Sequence, residues 1–394
     1  MSSFLNGAWF KGYRPAASRL STLEKFSMKK TLIALAAVAA TGAAFAQSSV
    51  TLYGIVDLGV VALKDTDSQG GVTSTTKKNA MKSVLNGSRF GLRGTEDLGG
   101  GLKGNFVLEY AVQPDEATTS MANRQAFVGV SGGFGEVRLG RQYTPFHNVQ
   151  AAIDVAGNKD APGYVLALHN RARSSNAINY STPAMGGVTA RVQYGFGEGN
   201  VNSGAVNPRK GDSLGANVVY SSGPLLVGFA YDRVNRPTTT AAAGVINFGG
   251  IASNASGSAI PSFAVFGTNT TKSLSTWALG GAYNFGVVRL TAGHSQLDDK
   301  GEAGVANVKS KGNYIGLSAP MGAVTLYAAL GQAKVTEAGS TGEVKYRGHQ
   351  LGANYALSKR TTAYASLGAD KITETGVAGS LKRSQYGVGV RHTF

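Results

Sequence analysis

The chain ends on a stretch that alternates without a break, Gln385-Tyr-Gly-Val-Gly-Val-Arg-His-Thr-Phe394. Successive side chains of a β-strand point to opposite faces, so every second residue here shares one largely apolar face. That face carries Tyr386, Val388, Val390, His392 and Phe394. In a soluble protein such an edge invites aggregation, whereas a closed barrel in a membrane removes the edge and places the apolar face against lipid. We therefore expect this strand to complete a transmembrane barrel and its apolar residues to be needed for assembly.

About sixteen alternating segments occupy the chain from residue 50 onward, separated in turn by short and long connections. The long connections are 63–80, 113–122, 144–173, 197–212, 235–271, 298–310, 335–346 and 372–383. A soluble β-sandwich also alternates, but short periplasmic turns facing long external loops are typical of transmembrane barrels. The sequence predicts an all-β fold, an antiparallel barrel of about sixteen strands, which is wide enough for a water-filled lumen.

One segment fits this pattern poorly. Residues 237–271 carry no charge and are rich in Gly, Ala, Ser and Thr. We interpret them as a long external loop of low complexity. A further hairpin within the same segment would raise the strand count to eighteen.

The N-terminal region predicts export. Residues 28–46 combine Lys29 and Lys30 with an apolar core and a cleavage site that ends in Ala44-Phe-Ala46. The apolar run is too short for a transmembrane helix, which needs ~20 residues. We expect cleavage between Ala46 and Gln47, an exported barrel domain over 47–394, and a spurious extension of the gene model over 1–27.

The charge of the chain is strongly basic. Lys and Arg number 38 against 22 Asp and Glu, or +16; the leader holds six Lys and Arg and one Glu, which leaves +11 on residues 47–394. Nucleic-acid binding is the usual interpretation of such a balance, but an exported chain meets little nucleic acid and these cations are dispersed. We expect anionic solutes and lipid headgroups as partners, and no nucleic acid.

Neither an enzyme nor a metal protein is indicated. The chain has no cysteine, and its five histidines lack the spacing of a metal site. No nucleophile elbow, phosphate loop or dinucleotide fingerprint is present. We therefore predict no catalytic residue, no metal and no cofactor.

Four motifs together resemble the general diffusion porins of Gram-negative outer membranes, in the branch common in β-proteobacteria. They are Ser49-Val-Thr-Leu-Tyr-Gly-Ile-Val-Asp57, the segment 88–103, Asn123-Arg-Gln-Ala-Phe-Val-Gly129 with Gly140-Arg-Gln-Tyr143, and Gly389-Val-Arg-His-Thr-Phe394. The resemblance spans residues 47–394. It implies a homotrimeric, sixteen-stranded barrel in the outer membrane, inserted by the barrel-assembly machinery among lipid and lipopolysaccharide. Its third long loop would fold into the lumen and narrow it.

The resemblance assigns that constriction loop to residues 144–173, which contain Asp154 and Asp160. The family places arginines on the wall that faces this loop. The matching basic positions are Arg89, Arg124 and Arg141, with Arg93 on the face of Arg89; Glu109 is a further acidic candidate on the wall. Alternatively, these arginines only line a solvated lumen, or they pair with turn carboxylates such as those of Glu96 and Asp97.

The implied function is a water-filled channel for passive diffusion of small hydrophilic solutes and ions, with a moderate preference for anions. Two alternatives remain open at this point: an uptake channel with a substrate-specific site, and an adhesin-like barrel that acts through its loops. A sugar-specific channel would line its lumen with a track of aromatic residues. Here the inward candidates are mostly Arg, Lys, Asn, Thr and Gly, with scattered Tyr such as Tyr53 and Tyr327.

Overall fold

A computed structural model describes residues 49–116, 122–157, 163, 171–197, 211–235, 271–376 and 378–394. They form one antiparallel sheet and a helix, α1 (Pro145–Ile153), which contacts the inner wall of the barrel. The strands are β1 (Ser49–Gln69), β2 (Val72–Lys82), β3 (Arg89–Gly99), β4 (Leu102–Ala111), β5 (Ala122–Gly132), β6 (Gly135–Tyr143), β7 (Arg173–Ser181), β8 (Val188–Gly195), β9 (Ser213–Ser222), β10 (Leu225–Asn235), β11 (Thr271–Asn284), β12 (Arg289–Gly301), β13 (Val308–Met321), β14 (Val324–Glu337), β15 (Glu343–Ala356), β16 (Thr361–Glu374) and β17 (Gly379–Thr393).

The seventeen strand segments fill sixteen positions in a closed ring. The first strand, β1, pairs with β17 along one edge, which closes the barrel. Along its other edge, residues 59–69 of β1 pair with β2 and residues 49–55 pair with β3. The segments β2 and β3 are therefore one strand position with an interruption at residues 83–88. The predicted sixteen-stranded barrel is confirmed.

The terminal strand has the two faces that its alternation predicts. Tyr386, Val388 and Val390 are 57%, 60% and 48% exposed, whereas the intervening Gln385 is 1% exposed. Phe394 also remains 42% exposed, and its backbone exchanges two hydrogen bonds with Gly54 of β1. Exposed Leu, Val, Ile and aromatic side chains continue around the ring, and a band of this kind is the lipid-facing surface of a transmembrane barrel.

The interruption between β2 and β3 is built around the carboxylate of Asp57, which is fully buried. The backbone N–H groups of Val84, Leu85 and Asn86 donate to its two oxygens at 2.7–3.2 Å. The Tyr364 hydroxyl donates to Oδ1 at 2.6 Å. A buried charge is tolerated where hydrogen bonds satisfy it, so this carboxylate fixes the inward turn of the interrupting segment.

Residues 63–80 differ from their prediction as a long loop. They continue β1 and β2 as a hairpin whose two-residue turn is Gly70-Gly71, with φ of +55° and +84°. Positive φ at both central residues belongs to the type I′ turn that joins tight hairpins. Of the predicted loop over 237–271, only Thr271 lies within the described residues, where it opens β11. Across the described part of the chain, no helix has the length and hydropathy of a membrane-spanning segment.

Candidate functional site

A group of basic side chains converges on the lumen side of β3–β7. The guanidinium of Arg124 donates to the Tyr143 hydroxyl oxygen at 2.8 Å, and that of Arg173 donates to the same oxygen at 3.2 Å. Arg173 also lies over the Tyr143 ring, 4.7 Å from its centroid, in cation–π contact. Arg89 is close enough to interact electrostatically with both Arg124 and Arg173. Two guanidinium groups thus contact one phenol, and Arg89 adds a third positive charge that interacts with both of them.

Arg124 reaches the lumen because the ladder between β4 and β5 is irregular. Glu109 pairs with Gln125 and Tyr110 pairs with Asn123, so Arg124 has no partner residue across the ladder. Strict alternation would give Arg124 the outward face of Val128, which is 57% exposed. A β-bulge shifts the alternation by one residue and re-aims a side chain. Here it turns Arg124 inward, where its side chain is 14% exposed.

Arg141 lies beside a second irregularity, between β6 and β7. The register shifts between Gly140 and Gln142, and Gly140 has φ of +126°, which favours glycine. Arg141 donates from Nε to the Asn123 carbonyl at 3.0 Å and from Nη1 to the Ser175 hydroxyl at 2.7 Å. It also interacts electrostatically with Arg173. Arg141 therefore stands at the edge of the basic group.

Glu109 lies inside this group and neutralises one of its members. The carboxylate is buried, accepts from Arg124 Nε at 2.7 Å, and accepts from the Tyr53 hydroxyl at 3.2 Å. The Arg93 guanidinium lies 5.3 Å from the Tyr53 ring centroid. Among the residues that the structure describes, Arg89, Arg93, Arg141 and Arg173 of this wall have no carboxylate within 4 Å. A net positive charge remains on this wall.

The predicted constriction loop enters the lumen through α1. Thr144 caps the helix, since its hydroxyl accepts from His147 N–H at 3.1 Å, and the His147 ring stacks on Tyr143 at 4.5 Å. The helix ends at Asp154, whose Oδ1 accepts from two backbone N–H groups of the following turn at 3.0 Å each. The basic wall and the loop are therefore joined through Tyr143.

The loop packs on a track of glycines along the inner wall of β10–β13. A Cβ built on any of these glycines would lie within 3.2 Å of a loop side chain, so only glycine leaves room for the loop. The four close approaches are Gly228 with Val149, Gly280 and Gly293 with Ile153, and Gly316 with Val155. The absence of side chains on the wall thus positions the helix.

Polar anchors hold the loop in the same position. Arg289 of β12 donates to the Ala152 carbonyl at 2.5 Å, and Val155 N–H donates to the Tyr314 hydroxyl at 3.2 Å. Further along, Gly163 N–H donates to the Tyr346 hydroxyl and to Asp370 of β16. These contacts show that the loop crosses from β6 to β16 inside the barrel.

The acidic end of α1 lies opposite the arginines. The Asp154 carboxylate interacts electrostatically with Tyr314 of β13 and Tyr327 of β14. Counting β2 and β3 as one, β5 is the fourth of sixteen positions and β13 the twelfth, half a turn away. The two signs of charge therefore face each other across the lumen.

The predicted site residues differ in where the structure places them. The structure brings together Arg89, Arg124, Arg141 and Glu109, places Arg93 beside Tyr53, and places Asp154 on the far side. Asp160, Ala46 and Gln47 lie outside the described residues. The arginines do not pair with Glu96 or Asp97 within the described part of the chain. The sequence pattern did not assign Arg173 and Tyr143 to the site, although Tyr143 stands in the quoted motif Gly140-Arg-Gln-Tyr143.

No group of three or more potential metal ligands occurs in the described ranges. Two further buried carboxylates of the lumen wall are occupied by arginines. Asp232 accepts a two-pronged contact from Arg171 at 2.6 and 2.8 Å, and Asp370 is bound in the same way by the buried Arg383. Neither of these two carboxylates therefore offers an uncompensated negative charge to a passing solute.

A closed antiparallel barrel with an apolar outer face and a loop across a charged lumen defines a channel-forming protein of the outer membrane. The chain belongs to the Gram-negative porin family, whose model matches residues 31–375. It is 36% identical over 350 residues to outer membrane porin protein 32 of Delftia acidovorans, covering 85% of this chain and 87% of that one. It is 30% identical over 415 residues to an outer membrane porin protein of Bordetella pertussis, covering 93% of this chain and 100% of that one.

A solved structure supports the same assignment. The anion-selective porin from Comamonas acidovorans matches with a TM-score of 0.65 at 28% identity, covering 88% of this chain and 100% of that one. The chain is accordingly a transmembrane β-barrel of the Gram-negative outer membrane, and its relatives are channels rather than enzymes.

Proposed function

We propose that this porin is moderately anion-selective and that the basic wall of β3–β7 sets the preference. The observation that supports this proposal is the excess of positive charge on the wall that faces the loop. Glu109 compensates Arg124, whereas Arg89, Arg93, Arg141 and Arg173 have no carboxylate within 4 Å among the described residues. Basic side chains that ring a pore favour anions.

The size of the effect follows from elementary electrostatics. At 0.15 M salt the Debye length is about 8 Å, so an ion beside the loop is not screened from these guanidinium groups. Two unit charges about 4 Å apart interact by about 1 kcal/mol in water and by about 4 kcal/mol at an effective dielectric constant of about 20. Since about 1.4 kcal/mol is a factor of ten in population, a few uncompensated arginines suffice for a several-fold preference.

The opposed carboxylate of Asp154 adds a transverse field. Positive charge on β3–β7 and negative charge near β13 and β14 orient polar solutes and disfavour apolar ones. This arrangement supports a general diffusion pore. Neither of the two alternatives, a substrate-specific uptake channel and a loop-mediated adhesin, gains a supporting observation from the described residues. We further propose a homotrimer that has no catalytic role.

The test measures the zero-current potential across a tenfold KCl gradient. The variant Arg89→Gln/Arg141→Gln/Arg173→Gln removes three uncompensated cations and should lower the anion-to-cation permeability ratio several-fold. The control Lys300→Gln/Lys359→Gln/Arg360→Gln removes the same charge from exposed positions outside the lumen and should leave the potential unchanged. A cation-selective wild type, or a lumen variant with the wild-type potential, would refute the proposal.

A further inference from the structure

The interrupting segment between β2 and β3, residues 83–88, lies against the inner wall where the ring closes. A Cβ built on Gly59 of β1 would lie 2.9 Å from Val84 Cγ2, and one built on Gly387 of β17 would lie 3.4 Å from Val84 Cγ1. Both glycines face inward, because the residues that follow them in their strands are 54% and 60% exposed on the outer face. The segment therefore occupies part of the lumen.

A network of hydrogen bonds fixes this segment in addition to the contacts of the Asp57 carboxylate. The Ser88 hydroxyl donates to the Asp57 carbonyl at 3.1 Å and accepts from the Asp57 N–H at 2.9 Å. From the other side, Arg391 Nη1 of β17 donates to Asn86 Oδ1 at 2.9 Å. A buried polar network whose hydrogen bonds are satisfied rigidifies the structure around it. The interrupting segment is thus a fixed part of the wall.

The same segment contacts both the basic wall and the constriction loop. The Gly87 carbonyl accepts from Arg89 Nε at 3.2 Å, and a Cβ built on Gly87 would lie 3.6 Å from Arg124 Nη1. On the side of the loop, a Cβ built on Gly157 would lie 3.6 Å from the Leu85 carbonyl oxygen. The segment therefore connects the arginines of β3–β7 with the turn that follows α1.

Gly87 is the residue of this segment that faces open space. It is exposed, whereas Val84 and Leu85 are 2% and 3% exposed. Apart from its neighbours in the chain, Arg124 Nη1 is the one atom within 4 Å of a Cβ built on Gly87, among the described residues. The φ angle of Gly87 is not positive, so its backbone also accepts other residues. The missing side chain leaves the opening wide beside the arginines.

We propose that residues 83–88 form a second wall of the constriction and that Gly87 is the position in it that sets the width of the opening. The segment reads Ser-Val-Leu-Asn-Gly-Ser and carries no charge. An ion that passes the arginines therefore meets neutral backbone here, and a charge placed at Gly87 would act directly on that ion. The effect on selectivity rests on the proposed anion preference, whereas the effect on width does not.

The test uses the full chain, which has no cysteine of its own. The variant Gly87→Cys introduces a single thiol, and intact mass measures its modification. A neutral benzyl methanethiosulfonate should lower the single-channel conductance in a planar bilayer. A sulfonatoethyl methanethiosulfonate should lower the anion-to-cation permeability ratio about two- to fivefold, and a trimethylammonium reagent should raise it by a similar factor.

The matched control is Gly133→Cys, whose Cβ would meet no atom within 4 Å in the short turn between β5 and β6. Its thiol should react while conductance and potential stay unchanged. A second pair, Gly87→Asp with Gly133→Asp as control, needs no reagent. Gly87→Asp should lower the permeability ratio about two- to fivefold, because its carboxylate would lie beside Arg124. Heat-modifiable migration on a gel establishes that each variant folds.

The outcomes separate this inference from the proposed function. A cation-selective wild type would refute the proposed anion preference, but loss of conductance on benzyl modification of Gly87→Cys would still support the second wall. An anion-selective wild type whose Gly87→Cys variant keeps full conductance after benzyl modification would overturn the second wall alone. A Gly87→Cys thiol that does not react in the folded channel would also overturn it, since the position would then not face the lumen.

Discussion

At the scale of single residues, the lumen depends on where alternation holds and where it breaks. Arg89, Gly91 and Arg93 are alternate residues of β3 and therefore share its inward face, so the sequence pattern predicts their placement. The pattern does not predict the placement of Arg124, because this residue reaches the lumen only through a bulge that the pattern leaves invisible. Arg173 was missed since it lies at the junction of a long loop and β7, where no periodicity indicates a face.

The pairing of Glu109 with Arg124 gives the first prediction. Glu109→Gln removes the carboxylate while keeping a hydrogen-bond acceptor, so the charge of Arg124 is no longer compensated. One more uncompensated charge changes the interaction energy with a passing ion by about 0.5–1 kcal/mol. We therefore expect the anion-to-cation permeability ratio to rise about two- to fivefold. The zero-current potential in a KCl gradient measures the change.

The matched control for this variant is Glu136→Gln, which removes a carboxylate paired with Arg138 near a short turn. It should shift the potential less. A Glu109→Gln channel that is less anion-selective than wild type would contradict the assignment of Arg124 to the filter.

At the scale of elements, the fold was predictable where strands cross the apolar belt and unpredictable beyond it. The β2 arm of the hairpin tip, residues 72–79, is exposed on both faces, so its sequence carries no apolar alternation and predicts a loop. Backbone pairing and a Gly-Gly turn form the hairpin nevertheless. The family resemblance predicted that loop 144–173 enters the lumen. The contact of this loop with four glycines of the wall is visible only in the structure.

The glycine track gives an element-scale prediction. Gly280→Val/Gly293→Val places side chains where Ile153 now lies, since even a Cβ would come within 2.8 Å of it. The helix α1 should shift toward the lumen centre and lower the single-channel conductance. Planar-bilayer recording measures this, and Gly133→Val is the control because nothing lies within 4 Å of its Cβ. Unchanged conductance in the double variant would show that the track does not set the pore.

At the scale of the whole molecule, the barrel is closed by the pairing of its first and last strands. The ring closes where β17 meets β1, and Phe394 exchanges backbone hydrogen bonds with Gly54. The strand order and the closed lumen were predictable because alternation persists to the last residue. The interruption around Asp57 was not, since a polar residue on a strand does not reveal that another segment folds over it.

Deletion of Phe394 should reduce the yield of folded, heat-modifiable trimer several-fold. The deletion removes two closing hydrogen bonds and the apolar end of the last strand. Semi-native gel electrophoresis of outer-membrane fractions measures the yield. Phe134→Ala removes a comparably exposed aromatic from a turn and should have little effect; equal yields of all three proteins would contradict the expected role of the C-terminus.

Processing gives a prediction at the same scale. The protein purified from outer membranes should begin at Gln47, because Ala44 and Ala46 provide the small residues that signal peptidase requires. Intact mass and N-terminal sequencing measure the start. A first residue between 1 and 27 would refute the interpretation of the leader.

The pairing of β1 with β17 also constrains the order of folding. Ile55 meets Thr393 across this seam, so the contact joins opposite ends of the barrel sequence. Contacts between distant residues form slowly, because the chain between them must first lose its freedom. The seam between β1 and β17 can form only after the last strand has been synthesised. Until then one edge of β1 has no partner strand. During that time the unpaired edge of β1 is open to pairing with another chain, which is a route to aggregation.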